Sequence, residues 1–152
     1  MFNSIDSLEG IITEVEEELL SAKRYKLYSD NWTKELPSLG GVYIIRNEEQ
    51  VVYVGETANI KDRMHKDMRN TQNHTIRRNI GKYHFSEQTE YYPASSKKKF
   101  ASSIEELVDQ HCKNNLTVSA VVVYVGRLEV EEFLIIKYEP IYNSKSNGRS
   151  LK

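Results

Sequence analysis

Two tyrosines ten residues apart, each in a short apolar run beside a glycine, constrain this chain more than any other feature: Gly41-Val42-Tyr43 and Tyr53-Val54-Gly55. The residues between them, 44–52, read as strand, polar turn and strand, so the segment is a β-hairpin. Two hairpin residues share a face only if they pair directly or stand an even number of residues from that pairing. At a separation of ten, a two- or four-residue loop alone would send the rings to opposite faces. A shared face therefore requires a turn of three or five residues, or a bulge.

Hydrophobic periodicity supplies the rest of the architecture. Ile5, Leu8, Ile12, Val15, Leu19 and Ala22 recur at spacings of three and four and form a helix with one narrow apolar stripe. That stripe fits packing on the chain's own domain, or pairing with its twin in a dimer. Residues 29–40 connect to the hairpin. Asn59 is placed to cap a helix running to about Asn70, and Asn73 a second that Gly81 ends. Residues 84–101, with Pro93 and Lys97-Lys98-Lys99, read as a loop or insertion. Ser102 and Glu105 form a capping box opening a helix to about Asn114. Thr117–Val125, β-branched and uncharged, reads as a central strand. Arg127–Tyr138 is helical and stops before Pro140, and the polar stretch Ser144–Lys152 should fray. The expected fold is an α+β sandwich: a small mixed or antiparallel sheet of about three strands flanked by helices. Residues 1–36 form an N-terminal helical extension and 37–152 the main domain, with an insertion around 84–116.

Charge is distributed unevenly. The formal net charge is −1, yet residues 1–36 carry 4 basic and 8 acidic side chains, and residues 57–100 carry 10 basic and 4 acidic. A basic middle between acidic ends suits a polyanion site, or equally a lysine-rich solvated surface. Cys112 is the only cysteine, which excludes an intrachain disulfide and fits a reducing, cytoplasmic setting. Neither a signal peptide nor an apolar run long enough to span a bilayer is found. Phosphate loops, zinc helices and nucleophile elbows are absent too, so nothing supports serine or cysteine catalysis.

Glu131 is the second signal. It falls among Leu128, Leu134, Ile135 and Tyr138, on the helix arc that should face the sheet, and Glu132, nearer the edge of that arc, is an alternative the wheel leaves open. A buried carboxylate needs a cation, strong hydrogen bonds or a raised pKa, and a structural salt bridge would satisfy that need as well as a metal. Arg63 sits on the inward edge of the helix after the hairpin, where a guanidinium suits a phosphate. His74, Arg77 and Arg78 cluster near a helix start, which also favours an anion. Lys82, Lys97, Lys98 and Lys99 could extend a track along a nucleic-acid backbone or simply be solvated.

In order and approximate spacing, Gly41-Val42-Tyr43, Tyr53-Val54-Gly55, Asn59-Ile60-x-x-Arg63, Glu131 and Pro140-x-x-Asn143 resemble the GIY-YIG nuclease family over roughly residues 40–143. The resemblance implies phosphodiester hydrolysis with one divalent cation, Mg²⁺ or Mn²⁺, on DNA, most often double-stranded. It implies Glu131 as metal ligand, Tyr43 as phenolate base and Tyr53 as a partner that positions the water or shares that role. Arg63 would hold the scissile phosphate and help to lower the Tyr43 pKa, and Asn143 would close the site. Two positions depart from the family pattern. Glu56 follows the second motif, and Asp67 stands where a histidine or tyrosine is common, with His65 and His74 the candidates to replace it. His74 resembles a histidine on the following helix of homing-type members. The expected function is a metal-dependent DNA endonuclease, monomeric or a homodimer. The alternatives are a degenerate module of the same fold that binds nucleic acid without cutting, and a protein-interaction domain.

Overall fold

The computed structural model describes residues 4–144, with side chains from residue 8 onward. The Ile5 side chain and the polar tail at 145–152 lie outside the described residues. In chain order the elements are α1 (Ser4–Ser21), β1 (Tyr25–Lys26), β2 (Gly41–Asn47), β3 (Gln50–Thr57) and α2 (Ile60–Asp62), which leads directly into a π-helical turn over Arg63–Asp67. They continue with α3 (Thr75–Phe85), α4 (Ser102–Asn115), β4 (Leu116–Val122) and α5 (Arg127–Tyr138). The fold is α+β: one sheet, ordered β1-β4-β2-β3 with every pair antiparallel, between two layers of helices.

The hairpin meets its requirement through a bulge. Its turn holds only Glu48 and Glu49, since Asn47 pairs with Gln50 and Arg46 with Val51. Val52 then stands as an extra residue before Tyr53 pairs with Ile45, and Tyr43 pairs with Gly55. Two residues opposing one reset the alternation, so both rings reach the same face. That face, with Ile45 and Val118, packs under Ile60, Met64 and Met68 and under Ile76, Ile80, Ile104 and Val108 of α3 and α4. On the opposite face, Val42, Ile44 and Val54 pack against Val15 and Leu19 of α1 and Val130, Leu134 and Ile135 of α5. Burial of each such side chain contributes about 1.5–3 kcal/mol. The α1 stripe is thus used on the chain's own sheet.

Four helix boundaries differ from the sequence reading. His74, not Asn73, caps α3: its ring nitrogen accepts from the Ile76 N–H. The helix runs through Gly81 to Phe85, because the Phe100 ring lies directly over Gly81 and a Cβ there would meet Phe100 Cζ at 2.3 Å. At α4, Ala101 is the cap and Ser102 makes no capping bond, while Glu105 does reach back, to the Phe100 N–H at 2.9 Å. Asn59 caps α2 as expected, accepting from Asp62 N–H at 3.0 Å, but regular helix gives way at Arg63 to a π turn closed by Met68 N–H on the Arg63 carbonyl. Such turns often mark functional positions.

β3 is a sheet edge, and the segment after α5 closes it. Tyr142 N–H donates to the Val52 carbonyl at 3.0 Å. The Asn143 amide takes both outward groups of Val54, accepting from its N–H and donating to its carbonyl, each at 2.9 Å. An edge satisfied this way is closed to pairing with another chain. Among the described residues, no helix is long and apolar enough to cross a membrane.

Candidate active site

The stacked tyrosines form the centre. Their ring centroids are 6.1 Å apart with planes inclined 25°, and Tyr43 is 1% exposed. The Tyr43 ring lies over Gly55, whose missing side chain is what makes room: a Cβ would stand 2.4 Å from Tyr43 Cζ. Burial, with Tyr53 adding to it, pushes the Tyr43 hydroxyl well above its ordinary pKa. Arg63 acts in the opposite direction, as expected, but does not prevail. The expected net lowering of the Tyr43 pKa is therefore not found among the protein's own groups; desolvation outweighs one guanidinium.

His74 closes over the pair. Its Nε2 lies 2.9 Å from Tyr43 Oη, and its ring centroid 5.1 Å from that of Tyr53. Fully buried and close to Arg63, Arg78 and Arg77, its imidazole is held well below its ordinary pKa, burial being the largest cause. His74 is neutral at physiological pH. Arg63 opens the π turn beside the rings. Burial works against its charge, but the tyrosine oxygens and Asp67 outweigh that, and it is held firmly protonated. It donates to Asp67 at 3.0 Å and to the Asn73 carbonyl at 3.1 Å.

Glu131 belongs to α5, on the far face of the sheet, and meets the β3 edge at Glu56. It is 4% exposed, and its Oε2 accepts from the outward Glu56 N–H at 3.1 Å. Its charge is felt at Tyr43, where it raises the pKa. Glu131 and Asn143 therefore take successive outward groups of the same edge. Asn143 has both ends of its amide engaged with Val54, which is a tethering geometry.

The two acids that depart from the family pattern are both paired. Glu56 accepts from Arg127 Nε at 3.1 Å, and Asp67 holds Arg63 and accepts from Asn73. His65 is not in the site: its Nδ1 faces Thr33 Oγ1 at 3.4 Å. Cys112 is buried and its thiol is pushed up to about 11 by that burial, as befits a packing residue. Among the described residues, no group of three or more His, Cys, Asp or Glu side chains could hold a metal ion.

The basic residues divide. Arg77 is corrected from the phosphate track to the interior: its side chain is 1% exposed and ion-paired to Glu105 at 2.8 Å and Asp109 at 2.6 Å, with Tyr28 Oη and Thr71 Oγ1 taking further donors. A guanidinium so saturated has nothing left for a phosphate. Its neighbour Arg78 is fixed by the Thr71 and Gln72 carbonyls. Arg78 lines a groove of about 350 Å³ with Thr75, Asn79, Lys82, Tyr91 and Pro93, beginning one residue from His74. Lys97, Lys98 and Lys99 are exposed, Lys98 lying over the Tyr92 ring at 4.3 Å. Sequence reasoning missed Gly55 as the seat of the Tyr43 ring and the Arg63–Asp67 and Glu56–Arg127 pairs. The four-residue spacing of Arg63 and Asp67 was a usable signal for the first pair.

The GIY-YIG catalytic domain matches the chain over residues 25–152. No curated protein matches it. Among solved structures, the GIY-YIG N-terminal endonuclease domain of UvrC from Thermotoga maritima, as a point mutant bound to its catalytic divalent cation, is similar at a TM-score of 0.40 and 15% identity. That alignment covers 86% of this chain and 96% of the other. The same domain bound to magnesium is similar at a TM-score of 0.38 and 18% identity, over 86% and 97% of the two chains.

Proposed function

Since this chain belongs to the GIY-YIG catalytic domain family, we propose that it is a metal-dependent endonuclease that hydrolyses DNA phosphodiester bonds, acting on double-stranded DNA. What supports this reading is convergence: Tyr43, Tyr53 and His74 pack together beside Arg63, and the Glu131 carboxylate sits at the adjoining edge of β3 on the Glu56 N–H. The donor set fits a hard cation. A single buried carboxylate suits Mg²⁺ or Mn²⁺, which keep most of their water and need few protein ligands. Glu131 would hold the ion, and the bound cation would supply charge neutralisation for the phosphate.

The chain's own residues do the remainder. Tyr43 Oη receives the proton of the attacking water, and Tyr53, stacked on it, fixes where that water stands. Arg63 holds the scissile phosphate and offsets the charge that grows on it, since a preorganised cation in a desolvated site needs no rearrangement during reaction. Arg127 neutralises Glu56, so that acid does not repel the phosphate. The groove lined by Arg78 and Lys82 carries the flanking backbone, with Lys97, Lys98 and Lys99 beyond it.

Plasmid nicking in Mg²⁺ or Mn²⁺ tests the reading. Wild type should nick, and Tyr43→Phe and Glu131→Ala should each lose roughly 10²–10⁴-fold in rate, the range expected for loss of a positioned base or charge. Wild type inactive with either metal would defeat it. One observation favours a second reading, a module that binds without cutting: Arg63 is held by Asp67. DNA binding that is independent of metal, survives Glu131→Ala and is never followed by nicking would select that alternative.

A further inference from the structure

We infer that His74 is a fixed hydrogen-bond donor to Tyr43, a positioning residue that prepares the phenolic oxygen to accept a proton and cannot itself take the Tyr43 proton. This deepens the endonuclease reading and rests on it. The argument turns on which ring nitrogen carries the hydrogen. His74 is the N-cap of α3, and its Nδ1 accepts the Ile76 N–H at 3.1 Å. An accepting nitrogen must present a lone pair, so Nδ1 bears no hydrogen. Neither the imidazolium nor the Nδ1–H tautomer is compatible with this bond, because each would set one N–H against another. A neutral imidazole with a bare Nδ1 carries its hydrogen on Nε2. Nε2 is the atom 2.9 Å from Tyr43 Oη, so the imidazole donates and the phenolic oxygen accepts.

Helix capping thus dictates the polarity of a bond inside the site. The Arg63 guanidinium acts on the same oxygen in the same sense, its positive charge favouring the phenolate. One donated hydrogen bond and a nearby cation stabilise the phenolate over the phenol and oppose part of the effect of burial. The imidazole bond also fixes direction. The hydrogen that neutral Tyr43 carries points away from His74, and on ionisation it passes by that side to a solvent water. Water then returns a proton to the same lone pair, becoming hydroxide. No proton passes through the imidazole.

Two substitutions separate the two nitrogens. His74→Gln sets an amide N–H₂ near the place of Nε2 and keeps a donor to Tyr43, though an amide cannot act as a base near neutral pH. His74→Asn keeps an acceptor near the place of Nδ1 and removes the donor. Nicking should fall roughly 10- to 150-fold in His74→Asn, the range for losing a hydrogen bond to a charged group, and most of that rate should return in His74→Gln. Independently of activity, a ¹⁵N-resolved imidazole spectrum of the wild-type protein at neutral pH should show His74 with Nε2 protonated and Nδ1 bare. A spectrum with Nδ1 protonated would overturn the inference, as would a folded His74→Gln no faster than His74→Asn. Absence of nicking by wild type would count against the endonuclease reading instead, and the spectrum would still decide the polarity.

Discussion

Gly55→Ala isolates the geometry of the tyrosine pair without removing any polar group. Gly55 lies within β3 and has no positive φ, so its backbone already suits alanine and only space is at issue. The added Cβ would stand 2.4 Å from Tyr43 Cζ and 2.5 Å from its Oη, against an ordinary contact of at least 3.4 Å. The backbones of residues 43 and 55 are paired across the sheet and cannot separate cheaply, so the ring must retreat by about 1 Å. His74 and Tyr53 line its path of escape. Overpacking of this kind costs about 1–3 kcal/mol, which for a chain of this length lowers the melting temperature by roughly 2–12 °C. Displacement of a reacting oxygen by about 1 Å costs on the order of 10²-fold in rate. The loss in rate should therefore persist well below the melting transition, where the variant is fully folded. Nicking measured alongside a thermal melt checks both. A folded Gly55→Ala protein that nicks within about twofold of wild type would show that the ring does not need its seat, and the geometric account of Tyr43 would fail.

Two further outcomes follow from ion pairs away from the reacting atoms. Arg77→Met should destabilise the fold by about 3 kcal/mol, because it leaves the Glu105 carboxylate, largely out of solvent, without its cation. It should also leave the salt dependence of DNA binding unchanged, and a reduced salt slope would return Arg77 to the phosphate track. Glu16 accepts from Lys137 and Tyr138 and joins α1 to α5, and although burial opposes it, these partners hold its carboxyl below the ordinary value. The sign follows from the lowered folded pKa: the contribution is present above the unfolded value and is lost as pH falls through the folded one. Glu16→Gln should accordingly melt lower than wild type at neutral pH and converge with it in acid, and a gap that widens in acid would refute the assignment.

What could be read in the sequence, and what could not, follows the range of the interactions concerned. The limits of α5 were legible to the residue, because its apolar arc and Pro140 are local signals. Burial of Glu131 was legible for the same reason. Arg77 and Arg78 are neighbours with identical chemistry, and no local pattern separates the buried one from the groove-lining one. The difference is made by Glu105 and Asp109, some thirty residues away on α4. Gly81 reads as a helix end until Phe100 is found lying on it. Asn73 and His74 are both plausible caps, and Tyr43 helps to decide between them by holding the far side of the imidazole. The hairpin is intermediate. Its alternation demanded an odd turn or a bulge, but no residue type within it announced which.

The residue that resolves that demand has a second effect. Deleting Val52 would leave Tyr53 opposite Ile45 and both phenols where they are, so a nine-residue interval would present the same pair. What the shorter chain would lack is the carbonyl gripped by Tyr142, and a valine filling the core beneath it. The interval between the two motifs is therefore coupled to the docking of the domain's far end, and a one-residue change in this hairpin is felt at residue 142 before it is felt at the tyrosines.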